Sequence, residues 1–115
     1  MFSIKGTSVT ITGTSVIFNQ ARALGGDGGV YYIQNSATGV TLITMTSSQF
    51  LTNSASVNGG ILSTIGQDAT FRCITCTITS VSSTTGSGGL LYLASTATST
   101  VTFESTSVIS TVSAS

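Results

Sequence analysis

The sequence predicts an all-β fold, a parallel β-helix (solenoid) of about four coils, each with roughly 30 residues and three short strands. The first observation behind this prediction is a repeated glycine pair. Gly28-Gly29, Gly59-Gly60 and Gly88-Gly89 are each followed by apolar residues, and the pairs begin 31 and then 29 residues apart. Self-similarity at a fixed period of this length is typical of repeat architectures.

Two further apolar patterns recur at a similar spacing. The first is formed by Val9-Thr10-Ile11, Val40-Thr41-Leu42, Ala69-Thr70-Phe71 and Val101-Thr102-Phe103. The second is formed by Val16-Ile17-Phe18, Phe50-Leu51, Ile78 with Val81, and Val108-Ile109. We therefore expect a single solenoid domain over 1–115, with repeats at about 9–39, 40–68 and 69–100 and a partial repeat at 101–115.

Composition favours strands over helices throughout the chain. It contains 20 Ser and 22 Thr, and Thr, Val and Ile prefer pleated strands to helix interiors. The segments alternate apolar and hydroxyl residues, as in Thr75 to Thr79, which is the pattern of a half-buried strand. An antiparallel sandwich is the alternative fold, because its strands also recur every 8–12 residues. A sandwich gives no reason for a fixed 30-residue period, so the β-helix is favoured.

The glycine pairs are predicted to form structural corners. A coil turns sharply between its strands, and glycine reaches the positive φ values that such turns require. The segment 25–29 contains four glycines but lacks the Lys and the Ser or Thr of a phosphate-binding loop. The predicted corner residues are Gly28, Gly29, Gly59, Gly60, Gly88 and Gly89.

The charge content excludes most chemistry. The chain has three basic and three acidic residues and no histidine, so few groups are available for acid–base catalysis or metal binding. Asp27, Asp68 and Glu104 lie in different repeats, and no basic patch is present for nucleic acid or an anionic membrane. No run of about 18 apolar residues is present to insert into a membrane. We therefore predict a protein that is not an enzyme and has no catalytic residues, cofactor or metal site.

Cys73 and Cys76 are the one cysteine pair in the chain. A zinc site would need further cysteines or histidines. Residues three apart in a straight strand lie about 10 Å apart, which is beyond the reach of a disulfide unless the chain bends between them. Two states therefore remain open for this pair, buried thiols or a disulfide across a corner.

Tyrosines provide the only sequence signal for a glycan-binding strip. Tyr32 and Tyr92 each lie four residues after the first glycine of their pair, so both are expected in one column of the solenoid. Thr64 is assigned to the equivalent place in the coil between them and would interrupt the column. Glycans therefore remain open as partners.

Residues 50–62 resemble the polymorphic outer-membrane protein repeat, in which F-x-x-N is followed by a small residue and then by G-G and an aliphatic residue. The matching positions are Phe50, Asn53, Ala55, Gly59, Gly60 and Ile61. The resemblance implies a right-handed β-helix from a secreted or surface-displayed protein, commonly an adhesin or an autotransporter passenger. It implies an extracellular or cell-surface location, and the family has no catalytic residues to transfer.

The ends of such a short solenoid are expected to be its functional surfaces. At about 30 residues per coil, 115 residues make slightly fewer than four coils. Stacked about 4.8 Å apart, they give a block about 18 Å tall, whose ends carry unpaired strand edges. The sequence shows no capping helix, no proline and few charges to protect those edges. We expect a structural role, with self-association end to end into a filament or stacking on neighbouring coils of a longer chain. The alternative is an adhesin or binding module that recognises a glycan or protein through side loops such as 19–29.

Overall fold

The computed structural model of the chain describes residues 1–35, 39–66, 68–95, 98–105 and 108–114. It confirms the predicted all-β solenoid, and 64% of these residues lie in strands and none in a helix. Each predicted repeat includes one to three positions outside the described residues. The strands are β1 (Phe2–Gly6), β2 (Val9–Thr14), β3 (Ile17–Asn19), β4 (Arg22–Ala23), β5 (Tyr31–Asn35), β6 (Thr41–Thr46), β7 (Gln49–Leu51), β8 (Ser54–Ala55), β9 (Leu62–Gly66), β10 (Ala69–Ile74), β11 (Thr77–Ser83), β12 (Leu91–Ser95), β13 (Ser99–Glu104) and β14 (Val108–Ala114).

The strands form three parallel sheets, which are the three faces of the solenoid. Face 1 contains β1, β5, β9 and β12, and face 2 contains β2, β6, β10 and β13. Face 3 contains β3 and β4, β7 and β8, β11, and β14. The chain returns to face 1 three times, so it makes about three turns, and each face is four strands deep. We call the four levels layer 1 (β1–β4), layer 2 (β5–β8), layer 3 (β9–β11) and layer 4 (β12–β14).

Residues at matching positions of successive layers stack in columns. On face 3, Phe18 pairs with Phe50, Phe50 with Ile78, and Ile78 with Ile109. These four residues belong to the second apolar pattern in the sequence. The side chains of Phe18 and Phe50 are stacked, with ring centroids 5.2 Å apart and an angle of 17° between the rings. Stacking of this kind adds a specific attraction to the burial of apolar area in the core.

The register of face 2 differs from the one that the first apolar pattern suggests. Val9 pairs with Thr41, Thr41 with Ala69, and Ala69 with Ser99. The pattern had aligned Val40 and Val101 with Val9, whereas Val9 pairs with Thr41 and Val101 lies in the column of Ile11. The observed register therefore differs by one residue at Val40 and by two at Val101. A shift of one residue moves every side chain of a strand to the opposite side of the sheet. In the observed register Ile43, Met45 and Phe71 point inward and are fully buried, whereas Val40 and Leu42 remain exposed.

The predicted corner glycines lie in two columns between face 3 and face 1. Gly28, Gly59 and Gly88 all have φ between 66° and 68°, in the left-handed region that favours glycine. Gly29 donates its N–H to the carbonyl of Gly59 at 3.0 Å, and Gly60 donates to the carbonyl of Gly89 at 3.2 Å. The glycine pairs of successive layers are therefore stacked directly on one another.

Two further bends in each turn are made without glycine. Ser15, Ser47, Thr75 and Ser105 have φ between 49° and 55° at the corner between faces 2 and 3. Gln20, Thr52, Ser80 and Thr111 have φ between 51° and 58° within face 3. This conformation is uncommon for residues other than glycine, and most unfavourable for the three threonines, whose Cβ is branched. It is held here by bonds between layers: Ser47 donates its N–H to the carbonyl of Ile74 at 2.8 Å, and Thr75 donates to that of Glu104 at 2.9 Å.

Stability is expected to fall at alkaline pH because of Tyr31. This residue is buried on face 1 between Phe2 and Leu62, and burial raises the pKa of its phenol to about 12. An unfolded tyrosine has a pKa of about 10. The folded state therefore holds the proton more tightly than the unfolded state does. The resulting contribution of Tyr31 to the free energy of unfolding is fully present below pH 10 and is lost as the pH rises from about 10 to about 12.

We expect the free energy of unfolding to fall by about 2 kcal/mol over this interval because of Tyr31. The measurement is urea unfolding at a series of pH values, followed by circular dichroism. Tyr31→Phe has no phenol to ionise, so its stability should fall less over the same interval. Burial also raises the pKa of the Cys73 thiol. This thiol therefore lowers the free energy of unfolding at alkaline pH by the same amount in the wild type and in Tyr31→Phe. An identical fall in the variant would contradict the assignment to Tyr31.

Candidate functional site: the ends and one side of the solenoid

The apolar columns of the core are uncovered at the layer 4 end. Phe71, Ile78 and Val81 in layer 3 are fully buried. Their partners one layer further on are Val101, Ile109 and Val112, which remain 44%, 43% and 38% exposed. The sequence places the same kind of residue in both layers, and the difference in exposure arises because no described strand packs on the far side of layer 4. The layer 4 end therefore exposes side chains of the columns that form the core in layer 3.

The layer 1 end has the same character. Phe2 is 53% exposed and stacks on Tyr31 in layer 2, with ring centroids 5.6 Å apart. Ile4, Ile11 and Phe18 are partly buried and pack on the core of layer 2. The aromatic residues Phe2, Phe18 and Tyr31 form one contact group at this end. An apolar, aromatic surface of this kind is typical of a surface that binds another protein.

Each end also presents the unpaired edges of parallel strands on all three faces. Among the described residues, β1, β2, β3 and β4 at one end and β12, β13 and β14 at the other pair with a strand on one side only. Unpaired N–H and C=O groups along a strand edge are a template for a further strand. The geometry of both ends therefore suits the addition of another layer.

The few charges are distributed unequally between the two ends. Lys5 and Arg22 lie in layer 1. Glu104 lies in layer 4, where it accepts two hydrogen bonds from Arg72 of layer 3, at 2.7 and 2.8 Å. The hydrogen bonds from Arg72 are the main cause that lowers the pKa of Glu104. Both side chains are exposed, so this ion pair contributes little to stability.

Cys73 and Cys76 are both buried and are present as thiols. Thr75, with a φ of 55°, bends the chain between them and brings the two side chains into contact. Cys76 donates to the carbonyl of Met45 at 3.6 Å. Burial raises the pKa of the Cys73 thiol and disfavours its reactive thiolate form. Over the described residues, no group of three or more His, Cys, Asp or Glu side chains is arranged to hold a metal ion.

Tyr32 and Tyr92 share one column on the outer surface of face 1. Tyr32 pairs with Ser63, and Ser63 pairs with Tyr92. The residue between the tyrosines is therefore Ser63 rather than Thr64, because four residues after Gly59 is position 63. Thr64 lies in the next column, which points inward with Ile33 and Leu93.

Two concave surfaces lie on the sides of the solenoid. One is a cleft of about 400 Å³ beside Tyr32, lined by Met1, Gly25, Gly26, Asp27, Tyr32 and Val57. The other is a groove of about 470 Å³ on face 3, lined by Gln20, Arg22, Thr52, Ser54, Ser80 and Ser82. The left-handed bends at Gln20, Thr52 and Ser80 lie along this groove. The loop 19–29, which the sequence suggested for binding, contributes residues to both linings, and Tyr32 was also singled out. The remaining lining residues come from other layers, and the sequence pattern did not connect them with this loop.

Comparison of the chain with protein families, curated proteins and solved structures gave no match. The resemblance of residues 50–62 to the outer-membrane protein repeat therefore stays a prediction. Over the described residues, the chain forms no helix long and apolar enough to cross a membrane.

Proposed function

We propose that this chain is a non-enzymatic structural β-solenoid that assembles end to end with further copies of itself into a filament. The observation that carries the proposal is the uncovered core at both ends. Members of one apolar column are fully buried in layer 3 and about 40% exposed in layer 4. Covering such surface is favourable in proportion to the apolar area removed from water.

The size of the ends supports a second copy as the occupant. The molecule measures 33 × 30 × 20 Å. Four layers about 4.8 Å apart account for the shortest dimension, so each end spans up to about 33 × 30 Å. An end of this size is on the order of the ~800 Å² that each partner buries in a stable interface.

Head-to-tail stacking is the arrangement that continues the existing columns. It places Phe18 of one copy on Ile109 of the next, and Ile11 on Val101, as the layers within one copy already do. Head-to-head stacking would bring together the layers that contain Lys5 and Arg22. A head-to-tail contact that does not close on itself produces an open fibre. The proposed extracellular or cell-surface location rests on the resemblance of residues 50–62 to repeats of surface proteins.

The proposal is tested by placing a charge at one end and the same charge on a side. Ile109→Lys puts an ammonium group on the layer 4 end, and Ile65→Lys puts one on the outer surface of face 1. The two isoleucines are matched in exposure, at 43% and 39%. The wild type and Ile65→Lys should form fibres in negative-stain microscopy and fast-sedimenting species in ultracentrifugation. Ile109→Lys should remain monomeric, because burying its charge without a partner is unfavourable.

A wild-type chain that stays monomeric at about 100 µM, near the affinity expected of a weak interface, would overturn the self-assembly proposal. That result would favour the other occupant, neighbouring coils of a longer chain. Equal assembly of all three proteins would show that the contacts lie elsewhere than at the layer 4 end.

A further inference from the structure

The outer surface of face 1 contains a small residue enclosed by two tyrosines. Ser63 belongs to the outward column of β9, yet it is fully buried. Its neighbours in that column are Tyr32 and Tyr92, both partly exposed. We attribute the burial of Ser63 to the tyrosines that flank it, and the column Tyr32–Ser63–Tyr92 spans three layers, about 10 Å. The hydroxyl of Ser63 lies beneath them with no hydrogen-bond partner.

The cleft beside Tyr32 adds a carboxylate to this aromatic surface. Tyr32 forms one wall, and the loop residues Gly25, Gly26 and Asp27 form another. Both hydrogen bonds that the structure gives Asp27 fall on Oδ1: Asn58 donates to it from its backbone N–H at 3.0 Å and from Nδ2 at 3.2 Å. These bonds fix the carboxylate in place and leave Oδ2 able to accept from a ligand.

An aromatic ring next to a fixed carboxylate matches the chemistry of a sugar. The C–H groups on one side of a pyranose pack on an aromatic face, while its hydroxyl groups donate to carboxylate oxygens. A volume of about 400 Å³ lies within the range of small-molecule sites, which is about 300–1,000 Å³. Asp27 has the one charged side chain of this lining, so the carboxylate of an acidic sugar would be repelled by that side chain.

We propose that the Tyr32–Asp27 cleft binds a neutral pyranose of an oligosaccharide, with Tyr92, two layers further along the same outward column, supporting a later sugar unit. This site lies on the side of the solenoid, where Met1, beside β1, is the lining residue next to the layer 1 end, whereas Ile109, the residue used to block assembly, lies in layer 4. Sugar binding and filament formation are therefore separable, and either can fail without the other. A filament would repeat the site once per copy, so that weak individual contacts would add to a high avidity.

The experiment uses the tyrosines themselves as the reporter. The chain has no tryptophan and three tyrosines, so intrinsic fluorescence reports on Tyr32 and Tyr92 together with the buried Tyr31. Cellotetraose and mannotetraose are the neutral probes, and tetragalacturonic acid is the acidic control. At least one neutral probe should saturate the signal with a Kd of about 0.1–1 mM, which is typical of a shallow site. Titrations are repeated on Ile109→Lys, so that the result does not depend on assembly.

Four variants assign the binding to this cleft. Tyr32→Ala and Asp27→Ala should each weaken binding at least tenfold, measured by calorimetry, whereas Tyr32→Phe keeps the ring and should stay within about threefold. Arg22→Ala, in the groove on face 3, should leave the affinity unchanged. The proposal is overturned if no neutral probe binds at about 10 mM, well above the expected Kd, or if Tyr32→Ala binds as well as the wild type. It is also overturned if the acidic tetramer binds best.

Discussion

Gly60→Ala is expected to destabilise the solenoid by about 3 kcal/mol or more, enough to unfold a marginally stable domain. A methyl group at Gly60 would press on the backbone carbonyls of Gly89 and Ser82 and on the Val81 side chain. The carbonyl of Gly89 is also the one that accepts the hydrogen bond from Gly60, at 3.2 Å. Layers 3 and 4 would have to move apart at this point, and the hydrogen bonds between them here would lengthen.

Gly26→Ala is the matched control for this prediction. A methyl group at Gly26 meets no atom within 4 Å, and its φ lies outside the left-handed region. We expect its stability to stay within about 0.5 kcal/mol of the wild type. The measurement is urea unfolding followed by circular dichroism, at concentrations where the midpoint no longer depends on protein concentration. Similar losses in the two variants would mean that glycine matters here through chain entropy instead of close approach.

Asn53→Ala is the second substitution with a large expected effect, a loss of about 2–4 kcal/mol. Asn53 is fully buried in layer 2. Its Oδ1 accepts the backbone N–H of Ala21 at 2.9 Å, and its Nδ2 donates to the carbonyl of Phe18 at 3.1 Å. These two groups flank the bend at Gln20, where the strand of layer 1 is interrupted. Without Asn53 they would be left without these partners and a cavity would remain.

Two variants separate the hydrogen bonds of Asn53 from its volume. Asn53→Val keeps most of the volume and introduces the residue type that layer 3 has at this place, as Val81, but removes both bonds. It should still be clearly less stable than the wild type, whereas Asn19→Ala, at an exposed position, should be neutral. Unfolding in urea gives all three values. If Asn53→Val proved as stable as the wild type, the two bonds would contribute nothing net.

The parts of the fold that were predictable are those in which repeat spacing and side-chain chemistry agree. The glycine pairs form stacked corners because few other residues fit both a positive φ and a close approach of layers. The column from Phe18 to Ile109 follows from apolar residues at matching places. On face 2 the pattern was ambiguous, since Val40 and Leu42 alternate with Thr41 and Ile43, and either set reads as an inward face. Contacts with neighbouring layers decide between them.

The bends without glycine and the side cleft could not be predicted from local preferences. Thr52 and Thr75 adopt a left-handed conformation that their Cβ disfavours. The conformational preferences of threonine therefore do not predict a bend at either position. Hydrogen bonds to the next layer override that preference. The offset of four residues correctly placed Tyr32 and Tyr92 in one column. Asp27 could not be assigned to the same site, because its position depends on how the loop of one layer rests on Asn58 of the next.

The fixed register between layers restricts how a molecule of this kind can change in length. Inserting one residue into a strand would invert the inner and outer sides of that strand from the insertion onward. Duplicating a whole segment of about 30 residues would instead add one layer and preserve the contacts that the existing layers make with each other. Insertions and deletions in such a chain are therefore tolerated when they add or remove one complete coil. Chains that differ in their number of coils keep the same contacts in the coils that they share.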